Sequence, residues 1–166
     1  MINTSNTERK LIVISDSHQN TRNLTKVFDL HRDADAFIHL GDGERDIDLL
    51  KDEIGNRKVV QVCGNCDIYS LLPYNEIVSV SGVKIFCSHG HNEFVKHGIT
   101  HFVEKAKSIG ATIALYGHTH LINLQRNTDS EAAHYEADQI LLEVLLDLGL
   151  NDIVKEYEKL AGIFNP

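Results

Sequence analysis

The sequence predicts an α/β domain, because short apolar runs typical of buried strands alternate with segments that have helical spacing of apolar residues. Glycines and polar turns separate the two kinds of segment. With 166 residues, the chain is long enough for one domain with a hydrophobic core. We expect a single domain over residues 1–166, with its core at 11–125 and an atypical, mainly helical segment at 126–166.

The first predicted elements are a strand, a helix and a second strand. The β-branched run "LIVIS" at 11–15 is typical of a buried strand. Residues 21–32 predict a helix. Its one-sided spacing comes from Leu24, Val27, Phe28 and His31. "AFIHL" at 36–40 then predicts the second strand.

The middle of the chain continues the alternation. Residues 45–54 predict a helix that ends near Gly55, and "KVVQV" at 58–62 predicts a third strand. The segment "EIVSVSGVKIFCS" at 76–88 predicts a β-hairpin, because Ser81-Gly82 suits a two-residue turn between two alternating runs.

The last elements change in character. Residues 93–109 predict a helix closed by Gly110, and "TIALY" at 112–116 predicts a strand. Two further helices are predicted at 136–148 and 151–161. The first is apolar around much of its circumference, which indicates burial on more than one side. Packing within the chain and a homo-oligomer contact through 136–161 both satisfy that pattern.

Composition limits the class of protein. A net charge of −8 argues against a nucleic-acid polymer as partner, because such partners need clustered Lys and Arg. A small phosphorylated substrate remains compatible, since bound cations supply local positive charge. No secretory signal or membrane span is visible, and three cysteines are too few for a disulfide scaffold. We therefore expect a cytoplasmic protein with reduced thiols and no membrane partner.

Histidines and carboxylates follow five of the apolar runs directly. They are Asp16 and His18, Asp42, Asn65 and Asp67, His89 and His91, and His118 and His120. The carboxyl ends of strands in an open α/β sheet line one crevice, so these groups can meet there. In extended backbone, residues two apart point to the same side. On that basis Asp16 pairs with His18, and His118 pairs with His120.

The chemistry of these side chains indicates metal binding. Mixed His, Asp and Asn ligands suit Mn²⁺, Fe or Zn²⁺. The number of these side chains exceeds what one ion needs from the protein. Two ions that share one carboxylate would use all of them. Such a pair clamps the attacking and leaving oxygens of a phosphoryl displacement.

The ordered set resembles the calcineurin-like metallophosphoesterase superfamily, whose motifs run D-x-H, G-D, G-N-[HC]-D, H and G-H-x-H. The corresponding residues here are Asp16 and His18, Gly41-Asp42, Gly64-Asn65-Cys66-Asp67, His89, and Gly117-His118-Thr119-His120. The match spans residues 11–120. The short chain and the cysteine in the third motif resemble the small prokaryotic phosphodiesterase subgroup.

The resemblance implies a fold and a metal site. The fold is a four-layer α-β-β-α sandwich of two sheets flanked by helices. One metal is expected to take Asp16, His18, Asp42 and His120, and the other to take Asp42, Asn65, His89 and His118. Mn²⁺ is the expected ion, with Fe, Zn, Ni or Mg ions as alternatives. A hydroxide that bridges the metals is the expected nucleophile for hydrolysis of a phosphate ester, most simply a phosphodiester.

Three residues are expected to assist catalysis. Asn65 and His91 would stabilise charge on the phosphoryl oxygens. Asp67 would fix its loop or orient a ligand histidine. Larger family members carry histidine where this chain has Cys66, and a neutral thiol is a weak donor. Leaving-group protonation then falls to another group, with His91 as the candidate, or substrates with good leaving groups are favoured.

Two other functions compete with hydrolysis. One is a non-catalytic metal-binding scaffold on the same fold. The other is a redox or zinc-ribbon protein built on Cys63-x-x-Cys66, which lacks both a helix start after the motif and a second cysteine pair. Of the remaining polar residues, His39 is predicted in the core, and solvated positions are predicted for His31, His97, His101 and His134.

Overall fold

The computed structural model describes residues 9–119 and, for the backbone alone, three later strands. The strands are β1 (Arg9–Ile14), β2 (Ala36–His39), β3 (Val59–Gln61), β4 (Asn75–Val80), β5 (Val83–Ser88), β6 (Ile113–Tyr116), β7 (Leu124–Gln125), β8 (Ala133–Glu136) and β9 (Leu142–Leu146). The helices are α1 (Thr21–Leu30), α2 (Glu44–Leu49), α3 (Lys51–Ile54), a 3-10 turn (Val95–His97) and α4 (Thr100–Ser108). Within this part of the chain, no helix is long and apolar enough to span a bilayer.

The strands form two sheets. The first has the order β3-β2-β1-β9, in which β1, β2 and β3 are parallel and β9 runs antiparallel to β1. The second has the order β4-β5-β6-β8-β7, with β5, β6 and β8 parallel. The parallel strands of each sheet therefore present their carboxyl ends, and the loops that follow them, at one edge.

Three apolar cores hold the layers together. The core between the sheets contains Leu11, Val13, Ile38, Leu40, Val62, Val78, Ile85, Cys87, Ile113 and Leu115. On the outer face of the first sheet, Ile12 and Phe37 pack against α1, α2 and α3. On the outer face of the second sheet, Phe86 and Ala114 pack against α4. Alternate residues of β1 thus enter opposite cores, and the predicted α-β-β-α sandwich is confirmed.

Most predicted elements are present, with two interruptions. The hairpin over 76–88 forms as β4 and β5 with Ser81-Gly82 at the turn. The helix expected at 45–54 divides at Leu50, where the backbone leaves helical values. The helix expected at 93–109 starts only at Thr100, because Gly98 adopts a φ of +138°.

The predicted helix at 136–148 is wrong, because it contains strand β9. This strand pairs antiparallel with residues 9–13 of β1, in the register Leu11↔Val144. A continuous apolar run satisfies a buried strand as well as a buried helix, and the open edge of β1 decides for the strand. The final strands of the second sheet, which the helical interpretation displaced, are also present as β7 and β8. The helix expected at 151–161 lies outside the described residues.

Candidate metal centre

The predicted site residues converge at the edge where the parallel strands end. Asp16 follows β1, Asp42 follows β2 and His89 follows β5, and all three are buried. One ligand-capable atom from each lies within 4.8 Å of the other two. Side chains far apart in sequence therefore form one polar cluster between the two sheets.

The densest part of this cluster surrounds Nε2 of His89. The nearest ligand-capable atoms around it are Asn65 Oδ1 at 3.0 Å, His118 Nδ1 at 3.2 Å and Asp42 Oδ2 at 3.4 Å. Two ligand atoms bound to one ion at about 2.1 Å, with angles between octahedral and tetrahedral values, lie about 3.0–3.4 Å apart. The spacing of these nitrogen and oxygen atoms fits a shared divalent cation.

A second group of ligand atoms surrounds Nε2 of His18. Asp16 Oδ1 lies 3.7 Å from it, and Asp42 Oδ2 lies 3.8 Å from it. Asp42 Oδ2 therefore faces both His18 and His89. The two groups of ligand atoms therefore share this carboxylate.

The expected reason for the convergence of Asp16 and His18 is wrong. Extended backbone was predicted to point both side chains to one side, but β1 ends at Ile14. Asp16 and His18 instead adopt φ values of +52° and +42° in the loop. Left-handed backbone, which is uncommon for non-glycine residues, turns both side chains toward Asp42.

Hydrogen bonds orient the candidate ligands. Nδ1–H of His89 donates to the Leu40 carbonyl at 2.8 Å, which leaves Nε2 free to face the cluster. Asp16 Oδ2 accepts the backbone N–H of His118 at 3.0 Å and the Ser15 hydroxyl, so that Oδ1 faces His18. The Asn65 amide donates to Cys66 Sγ at 3.2 Å, so that its Oδ1 faces His89.

Asp67 fixes the loops that carry Asp42 and Asn65. Its Oδ1 accepts the N–H groups of Gly43 and Glu44, at 2.9 and 3.0 Å. Its Oδ2 accepts those of Asp42 and Gly64, at 2.7 and 2.8 Å. One carboxylate therefore holds two strand-end loops together, and loop fixing is the role that its contacts support.

Close backbone packing brings the same two loops together. Asp42 has a φ of +58°, and its Oδ1 accepts the Cys66 N–H at 2.6 Å. A Cβ atom on Gly64 would overlap Asp42 Oδ1 and lie 2.3 Å from the Asp42 nitrogen. The glycine of the third motif is therefore required by the approach of Asp42.

The pKa shifts of Asp42 and His118 suit metal ligation. In the metal-free cluster, by contrast, burial of His89 is outweighed by its hydrogen bond to Asp42 and by the charges of Asp42 and Asp16, which raise the pKa of His89. Burial raises the pKa of Asp42, but hydrogen bonds from His89 and from the Cys66 backbone outweigh it and hold the pKa below its usual range. Burial and the neighbouring His89 lower the pKa of His118 to about 4. An ionised carboxylate and a neutral imidazole are the protonation states that metal ligation needs.

His91 lies beside the cluster and touches its rings. Its ring centroid is 5.3 Å from that of His89 and 5.7 Å from that of Tyr74. Among the described residues, no hydrogen-bond partner faces its buried Nδ1. Burial and the neighbouring His89 lower the pKa of His91, so the ring is neutral at neutral pH. It can offer a neutral N–H but little imidazolium.

The cysteine pair does not form a redox centre. Cys63 is buried and Cys66 is exposed, and both are free thiols. Burial, together with Asp42, raises the pKa of the Cys66 thiol to about 11. Its Sγ lies near ligand atoms of His18 and Asp42, but a thiol with this pKa is neither a good nucleophile nor a ready ligand at neutral pH.

A buried polar group beneath the cluster was missed by sequence reasoning. The Ser17 hydroxyl donates to Asp46 Oδ2 at 2.6 Å and lies 3.2 Å from His39 Nε2. Asp46 also accepts the Gln19 N–H at 2.8 Å, which ties α2 to the loop of Asp16 and His18. His39 occupies the core as predicted, and burial lowers its pKa to about 4. Nothing in the local sequence indicates that Asp46, rather than the nearby Asp48, is the buried carboxylate.

A second missed group supports the loop of His89 and His91. Glu93 is buried and accepts the Ser88 hydroxyl at 2.7 Å and Lys105 Nζ at 2.5 Å. These contacts link the end of β5 to α4. The sequence offers one faint signal for them, the charged Glu93 close behind the two histidines.

The remaining predicted histidines divide into three groups. His97 and His101 are exposed as predicted. The solvated position predicted for His31 is wrong, because its ring is 6% exposed beneath the end of α1. His134 lies in strand β8, with only its backbone described. His120, the second histidine of the last motif, lies outside the described residues.

Known proteins share both the motifs and the fold. Residues 10–140 match the family model of the calcineurin-like phosphoesterase superfamily domain. The chain is 28% identical over 112 residues to the probable metallophosphoesterase YsnB of Bacillus subtilis, covering 67% of this chain and 64% of that protein. It is 37% identical over 113 residues to a probable metallophosphoesterase of Methanocaldococcus jannaschii, covering 65% and 57%. The matched region thus spans less than two-thirds of either relative.

A solved structure supports the same assignment. A crystal structure from Streptococcus pneumoniae, described as that of a predicted phosphoesterase, superposes with a TM-score of 0.68 at 27% identity. The similarity covers 80% of this chain and 74% of that one. It therefore extends across most of both chains.

Proposed function

Because the chain belongs to the calcineurin-like phosphoesterase superfamily, we propose that it is a metal-dependent phosphoesterase, and specifically a phosphodiesterase with a binuclear metal site. The family assignment confirms the resemblance inferred from the motifs. The observation that carries the proposal is the position of Asp42 Oδ2, 3.4 Å from His89 Nε2 and 3.8 Å from His18 Nε2. One carboxylate oxygen faces two separate sets of ligand atoms.

The proposal assigns residues to two ions. Asp42, Asn65, His89 and His118 would hold one, and Asp16, His18, Asp42 and His120 would hold the other. When bound, two divalent ions supply Lewis acidity to phosphoryl oxygens and a solvent-derived nucleophile near neutral pH. The mixed oxygen and nitrogen donors favour Mn²⁺, with Fe, Zn, Ni or Mg ions as alternatives.

Asn65 and His91 would position the phosphoryl group. Asn65 is exposed at the mouth of the cluster, and its amide can donate to a phosphoryl oxygen while Oδ1 faces His89. The His91 ring lies beside that of His89, with the two centroids 5.3 Å apart. Donors placed on developing negative charge in a partly buried site stabilise the transition state.

The departing alcohol would leave without strong acid assistance. Cys66 stands where larger family members carry a histidine, and its thiol stays neutral at neutral pH with a pKa of about 11. His91 is neutral at neutral pH and supplies an N–H hydrogen bond rather than a readily transferred proton. We therefore expect a steep dependence of rate on the acidity of the leaving group.

A metal-dependence series tests the function. The metal-free protein is loaded with Mn²⁺, Zn²⁺, Ni²⁺ or Mg²⁺ and assayed with bis(4-nitrophenyl) phosphate and 4-nitrophenyl phosphate. Metal-dependent hydrolysis is expected, faster for the diester. Asp42→Ala should abolish it, whereas Asp33→Ala, an exposed carboxylate near β1, should not. Metal binding without hydrolysis of either substrate would favour the non-catalytic scaffold instead.

A further inference from the structure

An open cleft of about 460 Å³ adjoins the candidate metal centre. His18 and Asp42 line it on the side of the metal centre. The loop after Cys66 forms one wall through Ile68 and Tyr69, and the start of α2 forms another through Arg45. Its volume lies within the range of small-molecule sites. A phosphate ester bound at the metal centre would place its organic group here.

The wall formed by the loop is apolar although it faces water. Ile68 is 76% exposed and Tyr69 is 98% exposed. Tyr69 also adopts a φ of +64°, which is uncommon for an aromatic residue. Exposed apolar residues beside a binding site are common where a ligand covers them.

Backbone hydrogen bonds fix the course of this loop. The Ile68 N–H donates to the Cys66 carbonyl at 3.0 Å, and the Ser70 N–H donates to the Asp67 carbonyl at 3.2 Å. Pro73, at the far end of the loop, accepts the Cys63 N–H at 2.8 Å. A loop backbone that is fixed before binding loses little entropy when a ligand packs against the loop.

The charges in the cleft exclude polyanionic substrates. Among the described residues that line it, carboxylates outnumber the single arginine, Arg45, by five to one. Glu44, Asp46 and Asp48 are the three carboxylates on the α2 side. A second phosphate in the cleft would meet this negative field, whereas an uncharged ring would not.

We propose that Ile68 and Tyr69 form a specificity subsite for an uncharged aromatic group carried by a phosphate ester. This inference rests on the proposed function, since the metal centre anchors the phosphoryl group. The aromatic group stacks on the Tyr69 ring and packs against Ile68. A nucleobase and a simple aryl group share this chemistry.

Non-hydrolysable phosphonates test the subsite directly. Isothermal titration calorimetry of the Mn²⁺-loaded protein compares methylphosphonate with phenylphosphonate. The wild type should bind phenylphosphonate about tenfold more tightly. Tyr69→Asn, which tolerates the left-handed backbone but removes the ring, should lose most of that preference, and so should Ile68→Ala.

Two matched variants serve as controls. Tyr69→Phe keeps the ring and should keep the preference. Leu71 lies in the same loop and is fully exposed, but it does not line the cleft. Leu71→Ala should therefore keep the preference for phenylphosphonate. A third ligand, thymidine 5′-methylphosphonate, distinguishes a nucleobase from a simple aryl group as the natural aromatic group. Tighter binding than phenylphosphonate indicates a nucleobase, and weaker binding indicates a simple aryl group.

The outcomes separate this inference from the proposed function. Equal affinity of the wild type for the two phosphonates, with metal-dependent hydrolysis intact, overturns the subsite alone. A Tyr69→Asn protein that keeps its phosphonate preference but loses self-association in light scattering also overturns it, and assigns the patch to contact between copies. A wild-type protein that binds neither phosphonate and hydrolyses neither ester would overturn both the subsite and the proposed function.

Discussion

Nε2 of His89 lies 3.4 Å from Oδ2 of Asp42, and the other ring nitrogen of His89 is occupied by the Leu40 carbonyl. The two residues follow β5 and β2, which belong to different sheets. Their contact therefore joins the two sheets at the edge where the candidate metal centre lies. Asp42 Oδ2 also lies 3.8 Å from Nε2 of His18, so it faces both groups of candidate ligand atoms.

Replacing Asp42 with Asn should abolish activity while preserving the fold. Asn keeps the shape of the side chain but removes the charge that would balance two cations. We expect kcat/KM for bis(4-nitrophenyl) phosphate to fall by about 10²-fold or more, and the metal content after gel filtration to drop. Asp33→Asn is the matched control. Retained metal content together with full activity would contradict the shared role of Asp42.

Removing the metal should lower thermal stability. The ions bind only the folded arrangement of carboxylates and histidines, so saturation at 100 times Kd adds about 2.7 kcal/mol. Differential scanning fluorimetry with Mn²⁺ and then with excess chelator should show a fall in Tm. The same treatment of Asp42→Asn should change Tm much less. An identical fall in Tm in the wild type and in Asp42→Asn would show that the stabilising ion does not bind at Asp42.

Asp67→Asn should destabilise the protein even without metal. The substitution replaces one carboxylate oxygen, which accepts two N–H groups, with an amide that donates. We expect the free energy of unfolding in urea to fall by about 3 kcal/mol. Asp48→Asn, at an exposed position paired with Lys51, should change it by less than about 1 kcal/mol. Equal effects of the two variants would rule out loop fixing by Asp67.

Cys66 should prove dispensable as a thiol. Cys66→Ser is expected to keep kcat within about twofold, because the thiol is neutral and donates weakly. Cys66→His adds an imidazole at the position where larger family members carry one. It should raise kcat about tenfold for diesters with poor leaving groups, and far less for 4-nitrophenyl esters. A large loss of kcat in Cys66→Ser would show that the Cys66 thiol takes part in catalysis.

His39 should make the metal-free protein less stable in mild acid. Burial lowers the pKa of His39 from 6.5 to about 4, so between these values the unfolded chain binds a proton that the folded chain does not. Stability contributed by neutral His39 is therefore lost as pH falls from 6.5 toward 4 and changes little below that. The loss approaches about 3 kcal/mol.

The control for this prediction is a pair of variants. His39→Gln should flatten the pH dependence of the unfolding free energy in this window, measured in the presence of chelator. His97→Gln, at an exposed site, should leave it unchanged. The remaining histidines contribute equally to the variants and cancel in the difference. An unaltered slope in His39→Gln would show that the ring is not held neutral.

The sequence predicted the candidate site better than the elements around it. Asp16, Asp42 and His89 each follow a strand that the apolar runs located within two residues. The failure at 142–146 has a definite cause. A leucine-rich run suits a buried helix and a buried strand equally, and only the open edge of β1, formed by residues far earlier in the chain, provides the missing hydrogen-bond partners.

By itself, the sequence determined the order of strands and helices up to residue 116. It also determined which polar residues follow the strand ends. Both could be predicted because local periodicity and motif spacing are properties of neighbouring residues. Tertiary structure alone decided how the residues face one another. It gave His89 the Leu40 carbonyl, Asp67 its four N–H donors and Asp46 the Ser17 hydroxyl. Such contacts join distant segments through sheet pairing and close packing, and no local pattern records them.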